Sequence, residues 1–279
     1  MLVNMKEMLE TAKKEGYGVI ATDAWNSTSL KAMVEIAEEK KAPIILSLAE
    51  VHLPHFSQKE MAELAKVYTK ESSVPIALHF DHGMTFDEIV KAIHAGFTSV
   101  MMDASSCDFE ENVRRTKEIV KIAHAVNVSV EAEIGHVGGA EGGGDDGLGS
   151  LLTDPAEAVR FVEETGVDCL AVSVGTAHGL YTGIPKLDFQ RLEEIAKAVS
   201  VPLVLHGGSG SGDENLRKAV ELGISKINVF SDMLKAIEVN TKKAEGELFG
   251  LDREDIAKSS VKECIAHYLK VFKSEGVCQ

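Results

Sequence analysis

Eight short apolar runs, most of them rich in β-branched residues, recur along the chain, and each is followed by a segment of helical periodicity. These runs predict strands over residues 17–24, 42–48, 75–81, 99–104, 129–134, 169–174, 202–207 and 226–230. The apolarity of these runs is mostly continuous rather than alternating, which is typical of strands buried on both faces of a parallel sheet covered by helices. Eight strand and helix repeats without a break in composition predict an α/β fold, a single (β/α)8 TIM barrel over residues 1–279. A doubly wound open sheet is the alternative architecture.

Several of the predicted helices begin at a capping residue. Asp154 precedes a proline, the order expected of an N-cap followed by proline at the first helical position. Asp188 and Asp213 are predicted to cap two further helices. After the last strand, residues 231–247 and 253–274 predict extra C-terminal helices that close the fold.

A glycine-rich segment, residues 138–150, interrupts the alternation after the fifth predicted strand. Such a composition also occurs in linkers. In a barrel, however, the loops that follow the strands lie over the active site. We therefore predict a mobile active-site loop here.

The charge balance narrows the classes of partner. With 44 acidic against 29 basic residues and a net charge of −15, the surface repels polyanions, which argues against nucleic acid. A small anionic substrate is compatible with this charge, because backbone N–H groups bind phosphate even in an acidic protein. The start of the chain has no signal-peptide pattern, and no apolar run approaches the ~18 residues of a membrane span. Four dispersed cysteines without a CxxC pair indicate reduced thiols, so we expect a cytoplasmic protein.

Three of the ten histidines stand where predicted strands end. His82 follows the third strand, His178 the sixth and His206 the seventh. The carboxyl ends of the strands of a parallel barrel converge on one cavity, where catalytic side chains lie. Three imidazoles around one zinc ion leave a fourth position for a substrate oxygen. We therefore predict a metal centre, with three structural histidines as the alternative.

Further polar residues fall near the same strand ends. Asp81 is suited to transfer a hydroxyl proton beside the metal, with orientation of His82 as its alternative role. Glu133 at a strand end and Glu141 in the glycine-rich loop are additional acids near the metal. His79 lies inside its strand, where a packed or supporting role is expected rather than ligation.

A phosphate site is predicted after the last two strands. The glycine-rich stretch 207–212 follows the seventh strand, and residues 228–231 open a helix after the eighth. Glycine lets the backbone approach an anion closely, and this is the usual phosphate site of such barrels. The stretch lacks the glycine, lysine and serine ending of a nucleotide P-loop.

Together these residues resemble the class II, zinc-dependent fructose-bisphosphate and tagatose-bisphosphate aldolases. The resemblance runs in order over most of the chain, and it comprises Asp81-His82, residues 100–105, 131–135 with Gly138-Gly139, 175–181, 185–189, 206–210 and 226–229. It implies a metal-dependent aldehyde-lyase that acts in carbohydrate metabolism, for example in glycolysis. We also expect a homo-oligomer, either a dimer or a tetramer.

The resemblance implies a set of metal ligands. His82, His178 and His206 match the ligands of the catalytic Zn²⁺ ion. Asp103 and Glu133 match a second metal position, for a divalent or monovalent cation. The sequence thus predicts one catalytic zinc ion, with a second cation beside it.

The resemblance also assigns catalytic and substrate-binding residues. Asp81 matches the acid and base for the hydroxyl at the cleaved bond, and Glu141 matches the carrier of a proton on the triose-phosphate carbon. Dihydroxyacetone phosphate is expected to contact the loops after the sixth, seventh and eighth strands. The implied contacts are Gly179, Gly207, Gly208, Ser209, Asn228, Val229, Phe230 and Ser231.

The aldehyde end of the site departs from the family pattern. Asp23 stands where the family commonly has Asn, and Ser47 and Ala49 stand where Gln and Ser are frequent. Phe230 replaces small or acidic residues, and Leu234 stands where a basic residue is often found. We therefore expect a ketose 1,6-bisphosphate such as fructose or tagatose bisphosphate, or a related ketose phosphate, cleaved reversibly to dihydroxyacetone phosphate and an aldehyde.

Other functions fit parts of this pattern. A metal-dependent sugar-phosphate isomerase or epimerase would use the same barrel without releasing a triose phosphate. A non-catalytic sugar-phosphate-binding protein would keep the pocket and lose turnover, yet Asp81 and the three histidines are all present. A Schiff-base aldolase would need a lysine inside the barrel, and Lys226, the strand-borne candidate, is expected at the wrong end of its strand.

Overall fold

Eight parallel strands pair in chain order and close on themselves, so that β1 is hydrogen-bonded to both β2 and β8. The computed structural model describes residues 2–139, 151–179, 181, 183–244, 246 and 248–278. The predicted (β/α)8 TIM barrel is confirmed, and the open sheet is excluded. The strands are β1 (Val19–Asp23), β2 (Ile44–Ala49), β3 (Ile76–Asp81), β4 (Ser99–Met102), β5 (Ser129–Ile134), β6 (Cys169–Val172), β7 (Leu203–Leu205) and β8 (Ile224–Asn228).

Helices follow the strands and pack on the outside of the barrel. They are α1 (Met5–Glu15), α2 (Ser27–Lys40), α3 (Gln58–Tyr68), α4 (Phe86–Ala95), α5 (Phe109–Ala125), α6 (Pro155–Thr165), α7 (Phe189–Ala198), α8 (Asp213–Glu221), α9 (Ser231–Lys243) and α10 (Gly250–Val271). A short 3₁₀ turn, Glu50–His52, follows β2. The last two helices are the predicted C-terminal pair, whereas α1 precedes the first strand, where no helix was predicted. Within the described part of the chain, no helix is long and apolar enough to cross a membrane.

Two of the three predicted capping aspartates cap their helices. The Asp154 carboxylate accepts hydrogen bonds from two backbone N–H groups in the first turn of α6, and Asp188 accepts one in the first turn of α7. Asp213 is instead the first residue of α8, and Gly212 occupies the cap with a φ of 83°. A cap with this φ favours glycine over aspartate.

Helix α1 closes the amino-terminal end of the barrel. Its buried Met5 and Leu9 pack against residues near the beginnings of strands, including Val19, Ile45 and Ala77. Burial of these apolar side chains stabilises the closed end by removing them from water. The carboxyl ends of the strands are left as the open mouth of the barrel, which is where the predicted site residues lie.

Strand β8 begins two residues earlier than predicted, because Ile224 already pairs with Leu203 of β7. Lys226 therefore lies in the middle of β8 and is fully buried. This corrects the expectation that Lys226 lies at the wrong end of its strand. A charged residue interrupts the apolar run in the sequence, which is why the pattern placed the beginning of the strand there.

Candidate active site

The structure brings the three predicted histidines together at the mouth of the barrel. The ring centroids of His82 and His206 are 4.6 Å apart, those of His82 and His178 are 4.9 Å apart, and those of His178 and His206 are 5.7 Å apart. One nitrogen from each ring lies within 4.8 Å of the others. These are distances at which three imidazoles can bind one ion.

Each ring of this histidine triad has one nitrogen beside an oxygen acceptor. His82 Nδ1 lies 2.7 Å from Asp103 Oδ2, and His206 Nε2 lies 2.9 Å from Glu131 Oε1. His178 Nδ1 lies 3.3 Å from the backbone carbonyl oxygen of Gly139. A metal-binding imidazole commonly donates its second N–H to a carboxylate or carbonyl, which fixes its tautomer and orientation. The triad has this arrangement.

The chain takes a strained path through His82. Its φ is 45°, in the left-handed region, which costs a non-glycine residue about 1 kcal/mol or more. The next residue, Gly83, is packed so closely that a Cβ there would lie 2.5 Å from the Met101 carbonyl oxygen. Strain of this kind persists where the surrounding structure holds it, and it is frequent at functional sites.

Carboxylates surround His206. Asp81, Glu131 and Glu133 are only 2%, 0% and 1% exposed, and Glu133 Oε2 lies 3.2 Å from His206 Nδ1. Burial and the neighbouring His82 would lower the pKa of His206, but hydrogen bonds with Glu131 and Glu133 raise this pKa to about 9. The pocket thus stabilises positive charge at the ring, which is the electrostatic setting that a bound cation requires.

Asp81 ends β3 beside the triad and is held by several contacts. Its Oδ2 accepts a hydrogen bond of 2.7 Å from Asn228 Nδ2, and its Oδ1 lies 3.1 Å from His79 Nε2. Burial alone would raise the pKa of Asp81, but the Lys226 ammonium and His82 hold it well below its ordinary value. The group is therefore a carboxylate at neutral pH, oriented and able to accept a proton.

Lys226 forms a buried ion pair with Glu131. The Nζ atom lies 2.9 Å and 2.8 Å from the two carboxylate oxygens. Burial would lower the pKa of Lys226, but Asp81 and Glu131 raise it. Lys226 is therefore an ammonium, whereas a Schiff base requires a neutral amine. Because Glu131 also contacts His206, the lysine holds the carboxylate that orients a triad member.

A cavity opens beside the triad. Its lining includes seven of the eight predicted substrate-binding residues; the eighth, Gly208, donates its backbone N–H to the Asn228 carbonyl oxygen at 2.9 Å. The cavity has two ends. We call the phosphate end the part lined by Gly179, Gly207, Ser209 and Ser231, and the tail end the part lined by Asp23, Ser47 and Phe230, with Trp25 and His52 packed against Phe230.

The phosphate end is built largely from backbone. Gly207 has a φ of 65°, and a Cβ there would lie 2.3 Å from a backbone carbonyl oxygen of the preceding βα loop. Ser209 Oγ accepts hydrogen bonds of 3.1 Å and 3.2 Å from the backbone N–H groups of Phe230 and Asp232. Helix α9 begins here at Ser231 without a side-chain cap from its own N-cap residue. A glycine turn beside such a helix start is suited to an anion.

The tail end is built from side chains that follow β1, β2 and β8. Asp23, at the end of β1, is 3% exposed, and its Oδ2 lies 3.5 Å from His52 Nδ1. The Phe230 ring centroid lies 4.9 Å from that of His52 and 5.8 Å from that of Trp25. Ser47 Oγ is buried and has no hydrogen-bond partner among the described residues. This end therefore offers polar groups against an aromatic wall.

The remaining predicted residues either contact the triad or its surroundings or lie outside the described residues. Glu141, with the rest of residues 140–150, belongs to the part of the predicted active-site loop that is not described. Asp103 and Glu133, the predicted second metal position, each contact a different imidazole of the triad. His136, two residues before the loop, contacts Ser105 Oγ at 3.0 Å.

Three residues of the site, Trp25, His52 and Glu131, were not assigned to it from the sequence, and Lys226 was considered only as a Schiff-base lysine. Glu131 and Lys226 lie inside strands that the sequence predicts as buried and mainly apolar. The short distance between the two side chains follows only from closure of the barrel. His52 lies beyond β2 in a stretch without periodicity. A pair of opposite charges within buried strands is the one signal that could have identified Glu131 and Lys226.

Comparison with known proteins agrees with this geometry. The model of the family "Fructose-bisphosphate aldolase class-II" matches residues 3–277. The crystal structure of the YdjI aldolase from Escherichia coli K12 has a TM-score of 0.90 and 35% sequence identity, and the match covers 100% of both chains. A putative fructose-1,6-biphosphate aldolase from Coccidioides immitis has a TM-score of 0.89 and 30% identity over 97% of this chain and 96% of that chain. Fructose-bisphosphate aldolase from Campylobacter jejuni, at 20% identity, shares the fold with a TM-score of 0.82 over 98% of this chain and 96% of that one.

The barrel and these matches define an aldolase. The chain belongs to the class-II fructose-bisphosphate aldolase family, because the family model covers nearly its whole length. The resemblance noted in the sequence is thereby confirmed.

Proposed function

We propose that this protein is a Zn²⁺-dependent aldolase that reversibly cleaves a phosphorylated ketose into dihydroxyacetone phosphate and an aldehyde. The proposal depends above all on the group formed by His82, His178 and His206, with Asp81 beside it at the mouth of the barrel. Membership of the aldolase family supports the same reaction. Candidate substrates are fructose and tagatose 1,6-bisphosphate and related ketose phosphates.

The donor set fits zinc. Catalytic zinc sites commonly use three protein ligands and keep one position for water or substrate. When bound, the ion would supply a Lewis acid for the negative charge that develops on the ketose oxygens as the carbon–carbon bond breaks. Asp103 contacts Nδ1 of His82, and Glu131 contacts Nε2 of His206. These contacts fix the tautomer of each ring and leave its other nitrogen for the ion. A second divalent or monovalent cation near Asp103 and Glu133 is part of the proposal.

Two acids would move protons at two different atoms. Asp81 takes the proton of the hydroxyl next to the bond that breaks and returns it in the condensation direction. Its contacts with Asn228 and His79 keep the carboxylate in one orientation. Glu141 is proposed to deliver a proton to the triose-phosphate carbon. Separate carriers are needed because one proton leaves an oxygen and the other is added to a carbon.

The phosphate end would hold the phosphate of the triose. The glycine backbone near Gly207 lets an anion come close, and the start of α9 at Ser231 carries partial positive charge. Both hydrogen bonds of Ser209 Oγ described above use the oxygen as acceptor, so its O–H can donate to the phosphate.

The variant His206→Ala tests the proposal. Removal of one ligand should abolish stoichiometric zinc binding, measured by metal analysis, and should reduce release of dihydroxyacetone phosphate by about 10³-fold or more, since the Lewis acid is lost. The assay should include fructose and tagatose bisphosphates and ketose 1-phosphates. His94→Ala, on the exposed surface of α4, is the matched control and should retain both properties.

Two results would contradict the proposal. Full activity of His206→Ala without bound metal would refute the zinc-dependent mechanism. Interconversion of sugar phosphates without release of a triose phosphate would indicate an isomerase or epimerase instead.

A cytoplasmic location and a homo-oligomeric state complete the proposal. All four cysteines are free thiols, which is usual for a protein of a reducing compartment. A dimer or tetramer would be detected by light scattering coupled to size-exclusion chromatography, and a mass of 30.0 kDa, that of one chain, would contradict it.

A further inference from the structure

The tail end of the cavity differs chemically from a phosphate site. We infer that it accepts an aldehyde half that carries hydroxyl groups and no phosphate, so that the substrate is a ketose phosphorylated only on its triose half. This inference rests on the proposed aldolase function and specifies its substrate class. The charges, helix starts and hydrogen-bonding groups around Asp23 support it.

Charge at the tail end opposes a second phosphate. Asp23 is a buried acid that lines the cavity, and none of the described residues lining it is a lysine or arginine. The residues that the structure does not describe contribute no lysine or arginine side chain either; they are Met1, residues 140–150, Leu180, Thr182, Glu245, Glu247 and Gln279. A phosphate dianion placed opposite a buried carboxylate would be strongly repelled.

The helix that begins beside the tail end, α2, caps its own first turn with side chains, whereas α9 has no side-chain cap from its own N-cap residue. In α2, the Asn26 side chain accepts from the backbone N–H of Ser29. The Ser29 hydroxyl in turn accepts from the backbone N–H groups of Trp25 and Asn26. This reciprocal capping box occupies the backbone N–H groups of Trp25, Asn26 and Ser29, which are therefore not available to an anion. The two helix starts at the two ends of the cavity are therefore not equivalent.

The polar groups of the tail end match hydroxyl groups instead. A hydroxyl can donate to the Asp23 carboxylate and can exchange a hydrogen bond with Ser47 Oγ. Ser47 lines the cavity and is 1% exposed, and its Oγ has no hydrogen-bond partner among the described residues. Burial of this atom without a partner costs free energy, which a hydrogen bond to a ligand hydroxyl would recover. Phe230 packs between His52 and Trp25 and forms an apolar wall for the carbon chain.

Matched pairs of aldehydes test the inference in the condensation direction. The zinc-loaded protein is given dihydroxyacetone phosphate with D-glyceraldehyde or its 3-phosphate, L-glyceraldehyde or its 3-phosphate, and D-erythrose or its 4-phosphate. Within each pair the stereochemistry is constant and only the phosphate differs. We expect kcat/KM to be at least about tenfold higher for the unphosphorylated member, because a like-charge contact of this kind exceeds the free energy of one decade in rate.

The variant Asp23→Asn tests whether the charge of Asp23 causes the preference for unphosphorylated aldehydes. Asp23→Asn keeps the shape of the side chain and removes its charge, so the preference for unphosphorylated aldehydes should fall several-fold. Glu10→Gln removes the same charge from the exposed face of α1, at the closed end of the barrel, and should keep the wild-type preference. The comparison of pairs in the unmodified protein decides the inference even if Asp23→Asn does not fold.

The outcomes separate this inference from the proposed function. Exchange of the carbon-bound proton of dihydroxyacetone phosphate with D₂O, followed by NMR, tests the proposed function without any aldehyde. Exchange together with a preference for phosphorylated aldehydes would overturn the inference alone. Exchange without turnover of either member of any pair would also overturn it, because the tail end would then reject small hydroxylated aldehydes. Absence of exchange would refute the aldolase function itself, and the inference with it.

Discussion

The two ends of the active-site cavity differ in what they are made of. At the phosphate end, glycine turns and the start of α9 present backbone groups, and the neighbouring backbone is too close to Gly207 for a Cβ to fit there. At the tail end, the groups that face the cavity are side chains, chiefly Asp23, Ser47 and Phe230. Backbone recognition depends on the path of the chain, whereas a side chain can be exchanged without changing that path. The phosphate end is thus determined by the fold, and the tail end is where substrate specificity can vary.

A network of buried charges lies between the two ends. Asp81, Glu131 and Lys226 form its core, and it contacts the triad through His206. Because this network serves the bond that breaks rather than either end, changes in it should affect all substrates alike. Changes at either end should affect one half of the substrate only.

The largest expected effect is that of Asp81→Asn. The amide cannot take the hydroxyl proton, and kcat should fall by about 10³-fold, within the usual range for loss of a general base. Release of dihydroxyacetone phosphate measures this for ketoses with and without a tail phosphate. Zinc content, measured in parallel, should be unchanged. A loss confined to one class of ketose would show that Asp81 belongs to the tail end rather than to the centre.

Lys226→Met should destabilise the protein by about 3–5 kcal/mol, because it leaves the Glu131 carboxylate buried without its partner. Urea unfolding measures this free energy. The surface pair formed by Lys273 and Glu221 is the matched control, since both side chains are about half exposed and Lys273→Met should cost about 1 kcal/mol or less.

The double variant Lys226→Met, Glu131→Gln sharpens this test. Removal of both charges should recover much of the lost stability, since no unpaired ion remains. A loss equal to that of the single variant would mean that Lys226 contributes through packing rather than through its charge.

Gly207→Ala tests whether the phosphate end depends on close approach of the backbone. Its φ of 65° and that of Gly166, 71°, impose similar strain on alanine, but only at Gly207 would the Cβ meet another atom, the Ala177 carbonyl oxygen at 2.3 Å. Gly207→Ala should therefore cost about 2 kcal/mol more than Gly166→Ala in urea unfolding, as for other overpacked sites. It should also raise KM for the phosphorylated ketose. Equal costs would show that the strained φ alone explains the glycine.

The parts of the fold that follow from local pattern could be predicted from sequence. Mostly continuous apolar strands and capped helices predict the closed barrel, and the rule that strand ends meet at one mouth predicts that His82, His178 and His206 lie together. Glycine-rich turns likewise predicted the part of the cavity that is lined by backbone. In each case a short stretch of chain carries the whole signal.

The contacts across the barrel could not be predicted in this way. The ion pair of Lys226 with Glu131 joins residues 95 positions apart, and it depends on the register of every strand between them. His52 reaches the tail end because a 3₁₀ turn after β2 directs the chain back toward Phe230. A charge within each of two buried strands is the only local sign of the ion pair, and no local pattern marks the contact of His52 with Phe230, so the pairing of these residues required the structure.

The smallest expected effects come from two serines, one at each end, and they test whether the ends act independently. Ser209→Ala removes the hydroxyl that is proposed to donate to the phosphate and should raise KM for dihydroxyacetone phosphate by about tenfold, since one hydrogen bond to a charged group is worth about 1.5 kcal/mol or more. Ser47→Ala should raise KM for the unphosphorylated aldehyde by a similar or smaller factor and leave KM for dihydroxyacetone phosphate unchanged. Steady-state condensation kinetics with each reactant varied in turn measure both constants. If Ser209→Ala changed the KM for the aldehyde as much as Ser47→Ala does, the two ends would be coupled, and specificity could not be assigned to the tail end alone.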